Sequence, residues 1–329
     1  MAAIKDVAER AGVSTASVSR VLAGKSVRDD VRAKVMTAVE ALNYRPNRVA
    51  RSLRSNKSTT IGLIVADIQN TYFTQICRAV EDAASAGGYA VFLCNSDEDP
   101  EKEATYLSLL RDENVAGAIV APTAETLRTL GAQALRDMPL VMIDRHPGKL
   151  AVDTVVLDNF AAAMELTAHL ISHGRKRIAG LFGAKSATGR ERHKGFLAAL
   201  EAAGLKPIDE LIRFTPPREA EGFAAASSVL ALPNPPDALF TSNGLLAAGA
   251  YRAISQSSIR CPEQLSFGSF DDTIWAPLVN PSVTVIEQPT YEIGRTATEL
   301  LLSRIQDSSR SARSVILPHR LIRRKSCGC

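Results

Sequence analysis

From Thr60 onward the chain alternates between short buried-strand runs and helix-length segments. TIGLIVADI leads into a helical pattern over 72–86, then Gly87-Gly88 and the strand YAVFLCNSD. A helix over 101–113, the strand VAGAIVAP, another helix and the strand PLVMIDR follow. The alternation resumes after 160 with a helix to His173, the strand RIAGLFG, a helix over 190–203, DALFTSN, a helix from Leu245, and LSFGSFDD. Strands alternating with helices in this way mark a parallel sheet covered by helices on both faces. Two such patterns in series predict two doubly wound lobes, an α/β core. Ligands meet sheets of this kind beyond the carboxyl ends of the strands, so the cleft between the lobes is the predicted binding site.

At 329 residues the chain has room for two or three domains, and its 46% apolar content can fill a sizeable core. No apolar run approaches the ~18 residues that a membrane span needs. The segment MAAIKDVAERAG carries Asp6 and Glu9 and has no apolar stretch, so it does not read as a secretory signal. Five scattered cysteines, an odd number, fit a reducing cytoplasm better than a disulfide framework.

The net charge of +4 is unevenly placed. Residues 1–60 hold twelve Lys/Arg against five Asp/Glu, a net +7, and the remaining 27 basic and 30 acidic residues leave −3 for the rest. A basic head on a mildly acidic body is either an electrostatic footprint for nucleic acid or a solvated basic face.

The head sequence sharpens that choice. Ile4, Val7, Ala8 and Ala11 share one face of a predicted first helix, Gly12-Val13-Ser14 makes a turn, and a second helix spans about Thr15–Leu22. A third helix, near Asp29–Leu42, turns Val31, Val35, Val39 and Leu42 inward. Helix, glycine-containing turn and helix form a helix-turn-helix, whose second helix enters the major groove. Beyond it, Pro46 breaks the third helix and Asn47 can cap a short new one. Val49, Ala50 and Leu53 fall on one apolar face among Arg45, Arg48, Arg51 and Arg54. An apolar wedge flanked by arginines suits insertion into a minor groove.

The stretches IKDVAERAGVSTASVSRVL and LNYRPNRVARSL resemble the DNA-binding head and hinge of the lactose-repressor (LacI/GalR) family of bacterial transcription regulators. That resemblance implies that Thr15 and Ala16 read bases and that Ser17, Ser19 and Arg20 assist on base edges and phosphates. It also implies a hinge helix of Asn47, Val49, Ala50 and Leu53, with Leu53 wedged into the central base step of the operator. One departure is Arg28, where the family commonly has a capping Ser or Thr. The cap is then lost or moved to Asp29, or Arg28 adds a phosphate contact.

The body resembles the effector-binding core of the same family, which has the fold of periplasmic sugar-binding proteins. GLIVADIQNTYFTQI, LVMIDR, VVLDNFAAA, ALFTSN, FGSFDDTIWA and TVIEQPTYEIG carry the likeness. The implied effector contacts are Asp67, Asn70, Phe73, Asp144, Arg145, Arg190, Arg192, Asn243, Asp271 and Gln288, with Asp271 and Arg190 foremost. Carboxylates and amides suit vicinal hydroxyls, and arginine can take a carboxylate in bidentate fashion. Two departures speak against a simple neutral hexose. Gly244 follows Asn243 where the family usually has Asp, and Pro216-Pro217 stands where an aromatic often closes the pocket. Three arginines near one cleft point instead to an anionic sugar, such as an aldonic or keto-aldonic acid; structural ion pairs are the alternative.

Other signals carry less. GLFGAKSATG lacks the glycine that should precede Lys185 in a phosphate loop, and Leu170 stands where a zinc-protease helix needs Glu between His169 and His173. Those histidines read as helix-end residues, and Cys327 with Cys329 could bind a metal, although two ligands are weak evidence for a site. No nucleophile–base pair is identifiable. The chain thus reads as a cytoplasmic, nucleoid-associated repressor rather than an enzyme, with neither cofactor nor metal. Its expected parts are a head over 1–45, a hinge over 46–59 and a core over 60–329. The expected partners are double-stranded operator DNA, a sugar or sugar-acid effector, and a second copy of the chain. With no leucine heptad after the core, a helical-bundle tetramer is not expected. A sugar-binding protein without DNA function, a corepressor-dependent regulator of the same family and an enzyme on the same scaffold are the rival readings.

Overall fold

The computed structural model describes residues 2–22, 24–44, 58–129, 138–148, 150–184 and 186–329. The chain divides into two compact units, Met1–Ser58 and Thr59–Cys329. The hinge residues Asn47, Val49, Ala50 and Leu53 lie outside the described residues.

The first unit is a three-helix head of α1 (Ile4–Ala11), α2 (Thr15–Leu22) and α3 (Asp29–Ala41). Its small core joins Val7, Ala8 and Ala11 of α1 to Val18 and Val21 of α2 and to Val35 and Ala38 of α3. Gly12 ends α1 in the left-handed region, at φ 65°, a conformation glycine adopts without a Cβ penalty. The turn is closed by the Val13 amide donating to the Ala8 carbonyl at 3.0 Å. Arg28 occupies the cap position of α3 and makes no side-chain capping bond. The acids Asp29 and Asp30 in the first turn face the positive end of the helix dipole instead.

The second unit opens with β1 (Thr60–Val65), α4 (Thr71–Ala86), β2 (Ala90–Asn95), α5 (Pro100–Asp112), β3 (Ala118–Val120), α6 (Ala124–Thr129), β4 (Leu140–Ile143) and β5 (Asp153–Leu157). It continues through α7 (Asn159–Ser172), β6 (Ile178–Gly183), α8 (Ala187–Ala202), β7 (Ile212–Thr215), α9 (Glu219–Leu230), β8 (Ala238–Thr241), α10 (Gly244–Gln256), β9 (Ser266–Phe270) and β10 (Thr284–Glu287). α11 (Thr290–Gln306), β11 (Ser314–Leu317) and β12 (Arg320–Ile322) complete it. One sheet runs β2-β1-β3-β4-β5-β11 and the other β7-β6-β8-β9-β10-β12. Every pairing is parallel except that of β10 with β12. The central strands are buried on both faces, as parallel strands between helical layers must be.

The two lobes are interleaved, not in series. The chain passes to the second lobe after β5, returns after β10 so that α11 packs on α4, and crosses again between β11 and β12. The reason lies in β5, which is buried along its whole length and would be an open edge without β11 beside it. β10 stands in the same relation to β12.

The returning segment is pinned by one carboxylate. Asp153 is fully buried and accepts from Arg304 Nε, from both terminal nitrogens of Arg310, and from the Arg313 amide. Burial opposes its charge, but Arg304, the Arg313 amide and Arg310 outweigh burial and hold the carboxyl below its ordinary range. Among the described residues no helix is long and apolar enough to cross a membrane.

Candidate functional site

In the head, the second helix divides cleanly between core and surface. Val18 and Val21 point into the core, whereas Thr15, Ala16, Ser19 and Arg20 are exposed on the other side. Positions i, i+1, i+4 and i+5 make a continuous helical face. Ser17 is half-buried at its margin, with its Oγ 3.0 Å from Ser14 Oγ and its amide donating to Ser14 Oγ at 3.2 Å. That bond caps the helix, so Ser17 shapes the end of the face. Arg28 is exposed beside Asp30, 3.6 Å away, and such a surface pair holds it weakly.

In the second unit, strand ends of both sheets converge on one cavity. Asn70, Tyr72 and Phe73 line it after β1, Glu98 after β2, and Asp144 with Arg145 after β4. Facing them are Ser186, Thr188 and Arg192 after β6, Pro217 after β7, Ser242 and Asn243 after β8, Asp271 after β9 and Gln288 after β10. The open volume is about 50 Å³, so the lobes leave little free space there. A second cleft of about 450 Å³ adjoins it, sharing Asp144, Arg145 and Thr188 and bounded by Asp158, Asn159, Phe160, Arg190 and Glu191.

Of the ten residues expected to meet an effector, eight line the inner cavity: Asn70, Phe73, Asp144, Arg145, Arg192, Asn243, Asp271 and Gln288. Arg190 is exposed and faces the outer cleft. Asp67 is set back from both and accepts the Gln69 amide at 2.8 Å.

Two strand ends match across the lobes. Asp144 follows the fourth strand of one and Asp271 the fourth strand of the other, with φ 69° and 72°. The left-handed backbone is uncommon for a residue with a side chain, and Asp tolerates it better than most. Asp271 accepts from Gly244 N at 2.8 Å and from Gln288 Nε2 at 2.6 Å. Gln288 Oε1 is buried and makes no hydrogen bond. Asn70 and Asn243 are also paired by position, each capping the helix that follows its strand.

The two cavity arginines are held differently. Arg145 donates to the Pro122 carbonyl at 2.6 Å and pairs with Glu98. Burial works against its charge, but Glu98 and Asp144 prevail and raise its pKa. Arg192 donates through Nε to Asn159 and through Nη1 to the Ser242 carbonyl, and its guanidinium lies 4.0 Å from the centre of the Phe270 ring. Burial pulls its pKa down, with Asp271 and Asp144 acting against that shift. Among the described residues these two bonds engage Nε and Nη1 and leave Nη2 without a protein acceptor. Tyr72 is pushed well above the usual phenol value, first by burial and then by Asp144, so it serves as a neutral donor.

Sequence reading missed Tyr72, Glu98, Ser186, Thr188 and Ser242. Ser186 caps α8 through the Gly189 amide, and Thr188 Oγ1 lies 2.8 Å from Ser186 Oγ, so a rule of strand end plus helix cap would have found both. Glu98 carries no such signal; it reaches Arg145 from a loop residue with φ 58°.

Residues 3–47 match the family described as bacterial regulatory proteins, lacI family. Residues 58–325 match periplasmic binding proteins and sugar binding domain of LacI family. The HTH-type transcriptional regulator KdgR of Bacillus subtilis (strain 168) is 33% identical over 98% of this chain and 97% of its own. The HTH-type transcriptional repressor PurR of Mannheimia succiniciproducens is 32% identical over 99% of this chain and 98% of its own. Among solved structures, the lac repressor dimer bound to operator and the anti-inducer ONPF matches over 99% of both chains, with TM-score 0.89 and 27% identity.

Proposed function

The chain belongs to the LacI family of bacterial transcriptional regulators, and from that premise we propose that it is a repressor that holds a pseudo-palindromic operator as a homodimer and releases it when a carbohydrate-class effector enters the cleft. The observation that supports this most is the meeting of strand ends from both lobes around Asp144, Asp271, Asn243 and Gln288. Carboxylate and amide oxygens at that point accept from vicinal hydroxyls, Tyr72 donates, and Phe73 offers an apolar wall. An effector touching both lobes favours one lobe pose over another and acts through that difference in affinity. The exposed face of Thr15, Ala16, Ser19 and Arg20 supports major-groove reading. Exposed Phe92 and Leu93 on the open edge strand β2, with Ile274 and Leu278 on the second lobe, support a self-complementary interface.

Arg192 favours a sugar acid within that class. Asn159 and Ser242 occupy two of its nitrogens and leave Nη2 for a ligand carboxylate. Arg145 is already matched by Glu98, so the anionic reading rests on Arg192 and not on three arginines together.

The test is a melting-point screen of the full chain against neutral sugars, aldonic acids, keto-aldonic acids, sugar phosphates and purines. A ligand at 100 times its Kd stabilises by ~2.7 kcal/mol, a visible shift. The hit is then added to an operator-binding titration. A carbohydrate that weakens operator binding is the expected result. A shift with purines alone overturns the effector class, and a hit that tightens binding makes the ligand a corepressor.

A further inference from the structure

At residues that line neither cleft, the second lobe brings two histidines of one helix together with two cysteines more than 150 residues on. His169 sits in the last turn of α7 and His173 caps its end, four residues on and therefore on the same helical face. Their rings lie 4.8 Å apart, nearly perpendicular. Opposite them, a turn of 3-10 helix over Lys325–Cys327 ends at Gly328 in the left-handed region, φ 89°. That reversal, which a side chain at 328 would strain, returns Cys329 to the spot where Cys327 already points.

The geometry of the four ligand atoms is close to a coordination shell. His169 Nε2 is 3.3 Å from Cys327 Sγ and 3.4 Å from Cys329 Sγ, and His173 Nε2 is 3.4 Å from Cys329 Sγ. All four atoms lie within 4.8 Å of one another. A tetrahedron with zinc–sulfur bonds near 2.3 Å and zinc–nitrogen bonds near 2.0 Å has nitrogen-to-sulfur edges of about 3.5 Å. Three edges are thus near metal-bound values, and the longest pair closes by about 1 Å or slightly more. We propose that His169, His173, Cys327 and Cys329 form a binding site for a single divalent transition-metal ion of the zinc class.

The chemistry of the set selects the ion. Two thiolates and two imidazoles are soft and borderline ligands in a tetrahedral array, which zinc favours and which calcium and magnesium do not. Two thiolates also neutralise a dication locally. The surroundings are built to hold the shell. Thr284 Oγ1 lies 3.0 Å from Cys327 Sγ, where it can orient the sulfur. Ser266 Oγ donates to the Cys327 carbonyl at 3.1 Å, and Ser326 Oγ donates to the Phe267 carbonyl at 2.6 Å and accepts from Thr284 N at 2.9 Å. Cys327 is fully buried on this scaffold, while Cys329 is exposed and gives the ion a path of entry. Bound metal clasps the end of α7 to strands β9 and β10. It does so independently of the operator and effector reading, since neither surface contributes a ligand.

The test uses the reduced full chain and Co²⁺ as a spectroscopic stand-in. One equivalent is expected to give tetrahedral ligand-field bands with thiolate-to-cobalt charge transfer, bleached by stoichiometric Zn²⁺. Cys329→Ser and His173→Asn alter side chains outside the hydrophobic core, so the metal-free variants are expected to melt with the parent. Each should weaken Co²⁺ binding by more than the roughly 10–100-fold that losing a supporting partner costs, and Zn²⁺ should raise the melting point of the parent alone. The proposal is overturned if no thiolate charge transfer appears at one equivalent. It is equally overturned if both variants keep the parent's spectrum, which would place the metal on other ligands.

Discussion

The backbone amide of Gly244 donates to Asp271 Oδ2 at 2.8 Å, tying the start of α10 to the end of β9. A Cβ at 244 would stand 2.7 Å from Thr273 Cγ2 and 3.5 Å from Asp271 Oδ2. Glycine at this place therefore lets Thr273 close in; the donor that Asp271 accepts from is a main-chain amide, which any residue but proline would supply there. The Asp271 carboxylate is oriented from two sides, by that amide and by Gln288 Nε2.

Asp271→Asn should remove the charge while keeping the shape. A hydrogen bond to a charged group contributes about 1.5–3 kcal/mol, so effector Kd should rise about 10–100-fold. Operator affinity without effector should stay within about twofold on the same accounting. Calorimetry and an operator titration on one preparation check both. An unchanged effector Kd would remove Asp271 from the site.

Arg192→Lys separates charge from geometry. Lysine cannot keep the Asn159 and Ser242 bonds and also offer a planar fork to a carboxylate. Affinity for a sugar acid should fall about tenfold more than affinity for the matching neutral sugar, roughly 1.4 kcal/mol of discrimination. Equal losses would show that Arg192 is structural and that the effector need not be an acid.

Arg20 is exposed on the reading face of α2. If it meets a phosphate, Arg20→Ala should weaken binding to specific and non-specific duplexes alike and flatten the log–log salt slope by about 1. A loss confined to one operator sequence, with the slope unchanged, would assign it to a base edge instead.

Leu53 falls outside the described residues, and its role rests on the sequence. Leu53→Ala should weaken operator binding and leave effector binding as it was, because a wedge between base steps acts only on the bent duplex. Paired titrations decide the point, and an unaltered operator Kd would refute the wedge.

Asp153→Ala leaves Arg304 and Arg310 without their buried acceptor. Breaking a buried pair in this way costs about 3–5 kcal/mol, readable as a lower melting point at neutral pH. The folded carboxyl titrates below its ordinary range. Its contribution is therefore complete above about pH 4, the unfolded value, and is lost as pH falls through the lower folded value. The gap between parent and variant should be flat above pH 5 and narrow in acid. A gap that widened in acid would contradict the ion-pair account.

The head was legible almost residue by residue, because its three short helices carry their apolar spacing in local sequence, and the turn between the first two carries Gly12 and the capping Ser14. Several central strands were legible for a similar reason: LIV in β1 and the run IAGLFG in β6 are continuous buried stretches, whereas the inner strands β5 and β10 and the edge strand β7 were not singled out. β11 and β12 escaped notice because edge strands only four and three residues long are half-exposed and carry little apolar signal. Their pairing is set by neighbours more than 150 residues away in β5 and more than 30 away in β10. The site residues at helix caps were visible as strand ends. Arg190 and Arg192 were not separable, since two positions along a helix turn side chains to different clefts.

Interleaving also governs how this architecture can be inherited. Each lobe is assembled from discontinuous stretches of chain, with joins at 158, 288–289 and 318–319. A single recombination breakpoint inside the second unit therefore yields a protein in which at least one lobe mixes segments of two parents. Exchanging ligand preference by trading lobes between relatives would take three coordinated junctions. New effector specificity is accordingly reached more readily by point changes at the strand ends than by shuffling whole lobes.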